Sequence, residues 1–506
     1  MKRVFGGLTK DKRAAEVLKL IRTKRSQFWE KQRVDITLEL FHLAAERVPA
    51  YKDFLKHNSI HHKKIKTFSD FQLVPPVTKK NYLNQYPLEM LVWDGTLRKR
   101  LVLAATLGST GKPFYFPRND DLDWQSSVYH QMFLQNDYSN RNKKTLVIVA
   151  FGAGVWIGGI ITYQAFRAIS HRGYPFTIIT TGPNKKEIFE SLKNMGSKYD
   201  QVIICGYPPF IKDVIDEAKN NGVNLRQFNI KTIFAAEAFS EKFRDYVAKK
   251  AGIKNKYKDT MNIYGSADLG TMAEETPFSI LVREMALKNK KIYEKIFHDA
   301  TRIPTLAQFN PLFINFEGVG GKILCTGNNA LPLVKYDIGD RGGVWDFHEV
   351  EDILRPRKSE LARAMKKVKI QNPSQLPFVY VYERTDFSTK LYGAIIYAEH
   401  IKEALQHHHL KNFLTGKFIM STEHDKKQDE YLQINIELMP NIKNAPLLKK
   451  RVCDLIIENL LQKNAEYRNN YALMPDRVRP KVEFFKYEHP HHFKAGIKQA
   501  WVKTIY

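Results

Sequence analysis

Between residues 120 and 235 the chain alternates short apolar runs with amphipathic stretches. LVIVAF (146–151), FTIITT (176–181), QVIICG (201–206) and KTIFAA (231–236) read as buried strands. Residues 185–195 and 210–220 carry apolar positions at helical spacing. This alternation predicts an α/β fold with a largely parallel sheet and flanking helices. Residues 1–75 read as mainly helical, and from Ala14 onward Leu18, Ile21 and Phe28 fall on one face, predicting an amphipathic helix docked on the body. Residues 101–105 form a strand that feeds a Gly/Ser/Thr loop. The stretch 278–307 reads as charged and helical, 313–316 and 322–325 as strands, and 355–369 as a strongly basic, inserted helix.

Past about Asp386 the pattern becomes helix (400–410), strand (418–421), strand (432–438), helix (447–462) and strand (481–485), which predicts a small α+β domain. The expected organisation is a large domain over 1–385 and a small, mobile C-terminal domain over 386–506. Residues 145–166 carry no charge and are long enough to span a bilayer. Gly152, Gly154, Gly158 and Gly159 divide them, so a strand, a tight turn and a helix are expected instead.

Composition adds limits. With 506 residues and 43% apolar content, the chain has material for several cores. Its three cysteines are widely separated and form no C-x-x-C pair, which argues against a disulfide framework or a cysteine zinc site and for a reducing, cytoplasmic setting. The basic N-terminal stretch lacks the continuous apolar core of a signal peptide. A net charge of +27 is compatible with nucleic acid, an anionic membrane surface or an anionic substrate, but a Lys-rich solvated surface accounts for it more simply.

Four segments carry candidate chemistry. TLGSTGKP (106–113) follows a strand with glycines, hydroxyls and Lys112, a composition suited to phosphate, though it lacks the Walker spacing. FGAGVWIG (151–158) resembles a dinucleotide turn, but the next strand ends in TTG rather than in the acid that would grip a ribose, so close packing of a helix on its sheet is the better reading. NIYGSAD (262–268) sets an aromatic ring four residues before a carboxylate that suits hydrated magnesium. LPLVKYDIGD (331–340) brings two aspartates beside a glycine, where a ribose diol finds acceptors. The runs His407 to His409 and His489, His491 and His492 lack a completing ligand at recognisable spacing, and adjacent histidines on a helix should point apart. There is no G-x-S-x-G elbow of a serine hydrolase.

In this order and spacing the segments resemble the adenylate-forming enzymes, specifically the phenylacetate–CoA ligase-like branch. VPAYKDF (48–54), VPPVTKKNYL (74–83) and Tyr86-Pro87 resemble its N-terminal signature. TLGSTGKP resembles its phosphate loop, AEAFS (236–240) its segment beside adenine, YGSAD (264–268) its Tyr-Gly-x-Ser/Thr-Glu motif, and YDIGD (336–340) its ribose motif. Arg384 to Asp386, with Gly393 and Ile401, resembles the hinge between large and small domains. KAGIK (494–498) resembles the segment that supplies the catalytic lysine. Leu107, Ala267 and Asp268 depart from the usual residues at their positions.

The resemblance implies ATP-dependent activation of a carboxylic acid as an acyl-adenylate, followed by transfer to coenzyme A or another thiol. Lys498 would be catalytic, with Lys494 the alternative. Thr106, Gly108, Ser109, Thr110, Gly111 and Lys112 would hold phosphates. Asp268 and Thr110 would hold Mg2+. Ala236, Glu237, Tyr264 and Gly265 would bracket adenine, Asp340 would fix the ribose, and Arg384 would contact the nucleotide. Asp386 would be the hinge, and Phe151 and Trp156 would line the acyl pocket. The implied partners are a small-molecule acid and a thiol acceptor, with no specific nucleic acid; a homodimer stays open. Alternatives are adenylyl transfer to a hydroxylated cofactor, acyl or amide transfer in cell-surface polymer synthesis, a degenerate nucleotide-binding protein, and a nucleic-acid binder.

Overall fold

The computed structural model describes residues 9–107, 113–154, 157–297, 304–382, 388–442, 445–490 and 492–493. The first described elements are α1 (Lys10–Thr23), α2 (Ser26–Arg47) and α3 (Pro49–His57). Thr9 caps α1 by accepting a hydrogen bond from the Lys12 amide. Ala14, Val17, Leu18 and Ile21 recur at helical spacing and are buried in one cluster with Trp124, Val128 and Phe313. The predicted docking is thus observed, with Phe28 carried over to α2.

β1 (Val102–Leu107) and β2 (Pro113–Arg118) form an isolated antiparallel pair. α4 (Asp120–Gln135) follows, capped by Asn119 and acidic in its first turn, as the helix dipole favours. The α/β series then runs β3 (Thr145–Val149), α5 (Ile157–Ser170), β4 (Phe176–Ile179), α6 (Lys185–Met195), β5 (Gln201–Gly206), α7 (Pro208–Glu217), β6 (Ile230–Ala235), α8 (Glu241–Ala251) and β7 (Thr260–Ser266). β4, β3, β5, β6 and β7 lie side by side and parallel. Helices cover both faces of this region, which is why its strands read as unbroken apolar runs. The uncharged stretch 145–166 divides into β3, a turn and α5. A Cβ at Gly159 would lie 2.6 Å from the Gly152 carbonyl oxygen, so glycine alone lets the helix start this close to the strand end. Among the described residues no helix is long and apolar enough to cross a membrane.

Beyond β7 the sheet continues with antiparallel neighbours. The elements are β8 (Gly270–Glu274), α9 (Pro277–Lys288), α10 (Lys290–Phe297), β9 (Thr305–Gln308), β10 (Ile314–Val319), β11 (Lys322–Gly327), β12 (Leu333–Trp345), α11 (Phe347–Leu354), α12 (Lys358–Val368) and β13 (Phe378–Tyr382). The complete order of this eleven-stranded sheet is β10-β11-β12-β13-β9-β8-β7-β6-β5-β3-β4. The expectation of helix throughout 278–307 is corrected at its end, because Thr305–Gln308 is recruited as a strand between β8 and β13. The basic helix is present as α12, whose Leu361 and Met365 pack toward Leu281, Met285 and Ile370.

The region that follows contains β14 (Ser388–Leu391), β15 (Ala394–Tyr397), α13 (Ala398–Leu405), β16 (Leu414–His424), β17 (Glu430–Leu438), α14 (Pro446–Lys463), α15 (Ala465–Leu473), a one-turn helix (Pro475–Val478) and β18 (Lys481–Phe485). β14 and β15 form a hairpin, and β16-β17-β18 form a separate sheet in which β17 and β18 are parallel. The helix predicted over 400–410 ends at Leu405. A 3-10 turn, His408–Leu410, then buries Leu410 and leaves the neighbouring imidazoles outward. The three rings of His407, His408 and His409 therefore cluster, with centroids 3.8–5.1 Å apart, and do not point apart as expected for a helix. A single apolar cluster runs from Ile204 and Phe234 through Tyr392 and Ile396 to Ile434 and Ile456, so the C-terminal layer is packed onto the α/β sheet's helices.

Candidate functional site

Parallel strands present their carboxyl ends to one edge of a sheet, where the following loops can hold a ligand. Here Phe151 after β3, Tyr207 after β5, Ala236 and Glu237 after β6, and Gly265 at the end of β7 line one cleft. The cleft has a volume of about 280 Å³. β12 adds Ile338 and Asp340 to its wall, and the β14–β15 hairpin adds Lys390, Gly393, Ile395 and Tyr397.

Two hydrogen bonds tie distant segments together at this wall. The Tyr264 hydroxyl donates to Asp340 Oδ2 at 2.7 Å, and the Tyr336 hydroxyl donates to Asp268 Oδ2 at 2.6 Å. Tyr264 also stacks on Phe316, with centroids 5.9 Å apart. Asp268 is buried, and Lys79 Nζ lies 3.9 Å from its Oδ2. Lys79 stands in the Thr-Lys-Lys segment, inside a single π-helical turn capped by Thr78.

The end of β6 is unusual. Ala236 has a φ of 79°, a left-handed conformation rare for a residue with a Cβ. Its carbonyl oxygen accepts a hydrogen bond from Lys390. Glu237 is buried and accepts a hydrogen bond from the Gly393 amide. Burial, reinforced by the neighbouring Glu430, holds the Glu237 carboxyl well above the usual carboxylate range. Glu430 in turn accepts from the Tyr392 amide at 2.9 Å. Gly393 has a φ of 81°, and a Cβ there would meet the Tyr207 ring at 2.7 Å. The hairpin tip is thus clamped to the end of β6.

Asn262, on β7, is also buried at the cleft. Its Nδ2 donates to the Glu237 carbonyl oxygen at 3.0 Å, leaving Oδ1 as a buried acceptor with no partner among the described residues.

Of the residues singled out in the sequence, Phe151, Ala236, Glu237, Tyr264, Gly265, Asp268 and Asp340 line this one cleft. Thr106 lies in β1, next to Ala105, which also lines it. Gly108, Ser109, Thr110, Gly111, Lys112, Trp156, Arg384, Asp386, Lys494 and Lys498 lie outside the described residues, as does His491. Lys79, His130, Tyr207, Lys390 and Glu466 also line the cleft but were not predicted as site residues. Lys79 belongs to the VPPVTKKNYL segment, where the sequence pattern by itself assigns it no role. The others carry no local signal: a histidine in a helix of mixed polarity and a lysine in a short strand are ordinary residues until the chain is folded.

The donor set fits a nucleotide with one hydrated cation. Asn262 Oδ1 offers a buried acceptor for an exocyclic amine, Asp340 a carboxylate for a diol, and Asp268 a carboxylate of the kind that magnesium uses while keeping several waters. Among the described residues, the cluster of three His, Cys, Asp or Glu side chains close enough to share an ion is His407, His408 and His409, which do not line the cleft.

No family model matches the chain, and no curated protein matches it by sequence. Solved structures do. The chain superposes on 2-hydroxyisobutyryl-CoA ligase, in complex with 2-HIB-AMP and CoA in the thioesterification state, with a TM-score of 0.61 at 14% identity, over 95% of this chain and 90% of that one. It shares that ligase's fold. Against the same ligase in the postadenylation state with R3-HIB-AMP the TM-score is 0.53 at 14% identity, over 96% and 90% of the two chains. Against an open conformation with 2-HIB-AMP and CoA it is 0.50 at 14% identity, over 93% and 90%.

Proposed function

We propose that this protein is an enzyme that uses ATP to activate a carboxylic acid as an acyl-adenylate and passes the acyl group to a thiol such as coenzyme A. The observation that carries this reading is the convergence of Asn262, Tyr264, Asp268 and Asp340, from β7, the turn after it and β12, on one cleft at the carboxyl ends of the parallel strands. The shared fold supports it, since the superposed ligase holds an acyl-AMP and CoA. The order of the sequence motifs supports placement in the phenylacetate–CoA ligase-like branch.

In this reading the acid's carboxylate attacks the α-phosphate of ATP and pyrophosphate leaves. Two anions must approach, so the cost is electrostatic, and fixed donors and cations lower it. Asn262 Oδ1 receives the adenine amine, Asp340 the ribose hydroxyls, and the Tyr264 hydroxyl holds the Asp340 carboxylate in place. Asp268, with Thr110, would hold Mg2+, which neutralises phosphate charge when bound. Lys112 and the loop amides steady the outer phosphates, and Lys498 bridges the α-phosphate and the acid. The segment after Asp386 then presents a different face for transfer to the thiol. The clamp between Gly393 and Glu237, and the higher score against the thioesterification state, favour that second arrangement for the conformation described here.

The test is acid-dependent ATP–pyrophosphate exchange across aryl and aliphatic acids, with Lys498→Ala and Lys494→Ala beside the natural chain. Exchange abolished by Lys498→Ala is expected, and loss with Lys494→Ala alone would move the catalytic role to Lys494. Exchange stimulated by a hydroxylated cofactor and by no acid would replace acid activation with adenylyl transfer.

A further inference from the structure

The inner wall of the cleft carries a group that nucleotide binding does not use. His130, on α4, is fully buried and lines the cleft with Phe151, Ile161 and Ile263. Its Nδ1 lies 2.8 Å from the Ser126 carbonyl oxygen, one turn back. A carbonyl only accepts, so Nδ1 carries the ring proton and Nε2 is left as an acceptor. Nε2 sits on the edge turned away from that carbonyl and has no hydrogen-bond partner among the described residues. Phe166 packs edge-on against the ring, 5.4 Å between centroids, which fixes its plane. The adjacent hydroxyls of Ser126 and Thr271 are 2.8 Å apart and bond each other.

Burial pushes the imidazole down to about 4, against the smaller opposing pull of the Ser126 carbonyl hydrogen bond. The ring is therefore neutral at physiological pH. An ammonium seated here would also be a buried charge without a counter-ion. What this wall lacks is one uncharged hydrogen-bond donor.

We propose that His130 Nε2 reads a neutral donor, a hydroxyl or an aromatic amine, on the body of the acid, so that the protein selects donor-bearing acids over their unsubstituted parents. This rests on the acid-activating reading above. A site holding a buried acceptor discriminates against a ligand that leaves it unpaired, whereas apolar contacts alone discriminate weakly.

The experiment uses the full chain and matched acids: benzoate with the hydroxybenzoates and aminobenzoates, phenylacetate with the hydroxyphenylacetates, and butanoate with the hydroxybutanoates. Pyrophosphate exchange gives kcat/KM for each, and equilibrium dialysis gives ATP binding. At least one donor-bearing acid should exceed its parent by about tenfold or more. His130→Phe keeps a ring without the acceptor and should level that pair with ATP binding unchanged. His130→Gln, whose amide oxygen reaches the place of Nε2, should restore part of the preference. Parents activated as well as their substituted partners, or a preference that survives His130→Phe, would overturn the inference while acid activation stands. Exchange with none of these acids would remove the acid-activating reading and this inference together.

Discussion

Lys212 Nζ lies 2.6 Å from Asp429 Oδ1, joining α7 of the α/β series to the turn before β17. The same ammonium is 2.6 Å from Asp216, and its side chain is fully buried. Arg477 extends the network, 3.2 Å from Asp213 and 3.3 Å from Asp429. Breaking one partner of a buried ion pair strands the other charge. Lys212→Met should therefore cost about 3 kcal/mol, read as a lower midpoint in urea unfolding. A loss no larger than that of an exposed lysine variant, such as Lys219→Met, would show that the pair is not a structural tie.

Asp213 gives the same interface a pH dependence. Burial pushes its carboxyl up to about 6, against the opposing pull of Arg477, Lys185 and the Tyr392 hydroxyl. The folded chain then holds this proton more tightly than the unfolded one, whose ordinary value is 3.8. The contribution to stability is thus fully present below about pH 4 and lost as pH rises through about 6, a change of about 3 kcal/mol. Urea unfolding at pH 4.5 and pH 7 should show a smaller difference in Asp213→Asn than in the natural chain. An equal difference would assign the pH dependence to other groups.

Tyr264 positions Asp340. Tyr264→Phe removes one hydrogen bond, a loss of about 1 kcal/mol in stability, and frees the Asp340 carboxylate to move. Asp340→Ala removes the acceptor itself. ATP affinity by titration calorimetry should fall several-fold in the first and at least about tenfold in the second, the usual scale for a charged hydrogen-bond acceptor. Unchanged affinity in Asp340→Ala would take the ribose away from this residue.

Gly393→Ala carries two separable penalties, a left-handed backbone and contact with Tyr207. Together they should cost about 2–3 kcal/mol. Tyr207→Ala in the Gly393→Ala background should relieve the contact but not the backbone strain, so a double-mutant cycle on thermal unfolding should recover only part of the loss. Full recovery would mean that the backbone carries no strain at this position.

Much of this was legible along the chain. Residues 185–195, 201–206 and 481–485 form the elements their spacing predicts, with the same ends. Tyr264 and Asp340 were findable because each sits beside a glycine, and Asp268 because it falls in the short turn between β7 and β8, four residues after Tyr264. The clamp at Glu237 was not, since Gly393 and Lys390 come from more than 150 residues away and their register depends on packing. His130 was hidden for another reason. It is one of sixteen histidines, and only the direction of its Nδ1, fixed by the Ser126 carbonyl, sets it apart. The strand at Thr305–Gln308 was missed because its neighbours in the sheet, β8 and β13, decide its conformation over a charged, helix-like surrounding.

All three cysteines are buried, and burial raises each thiol above its ordinary range, Cys205 and Cys325 entirely out of reach of solvent. The native fold is accordingly almost blank to maleimide reagents. One cysteine introduced on the outer face of α12 and another on α14 would accept a dye pair without prior removal of native thiols. Energy transfer between them would report, molecule by molecule, whether added ATP, acid and thiol move the C-terminal layer.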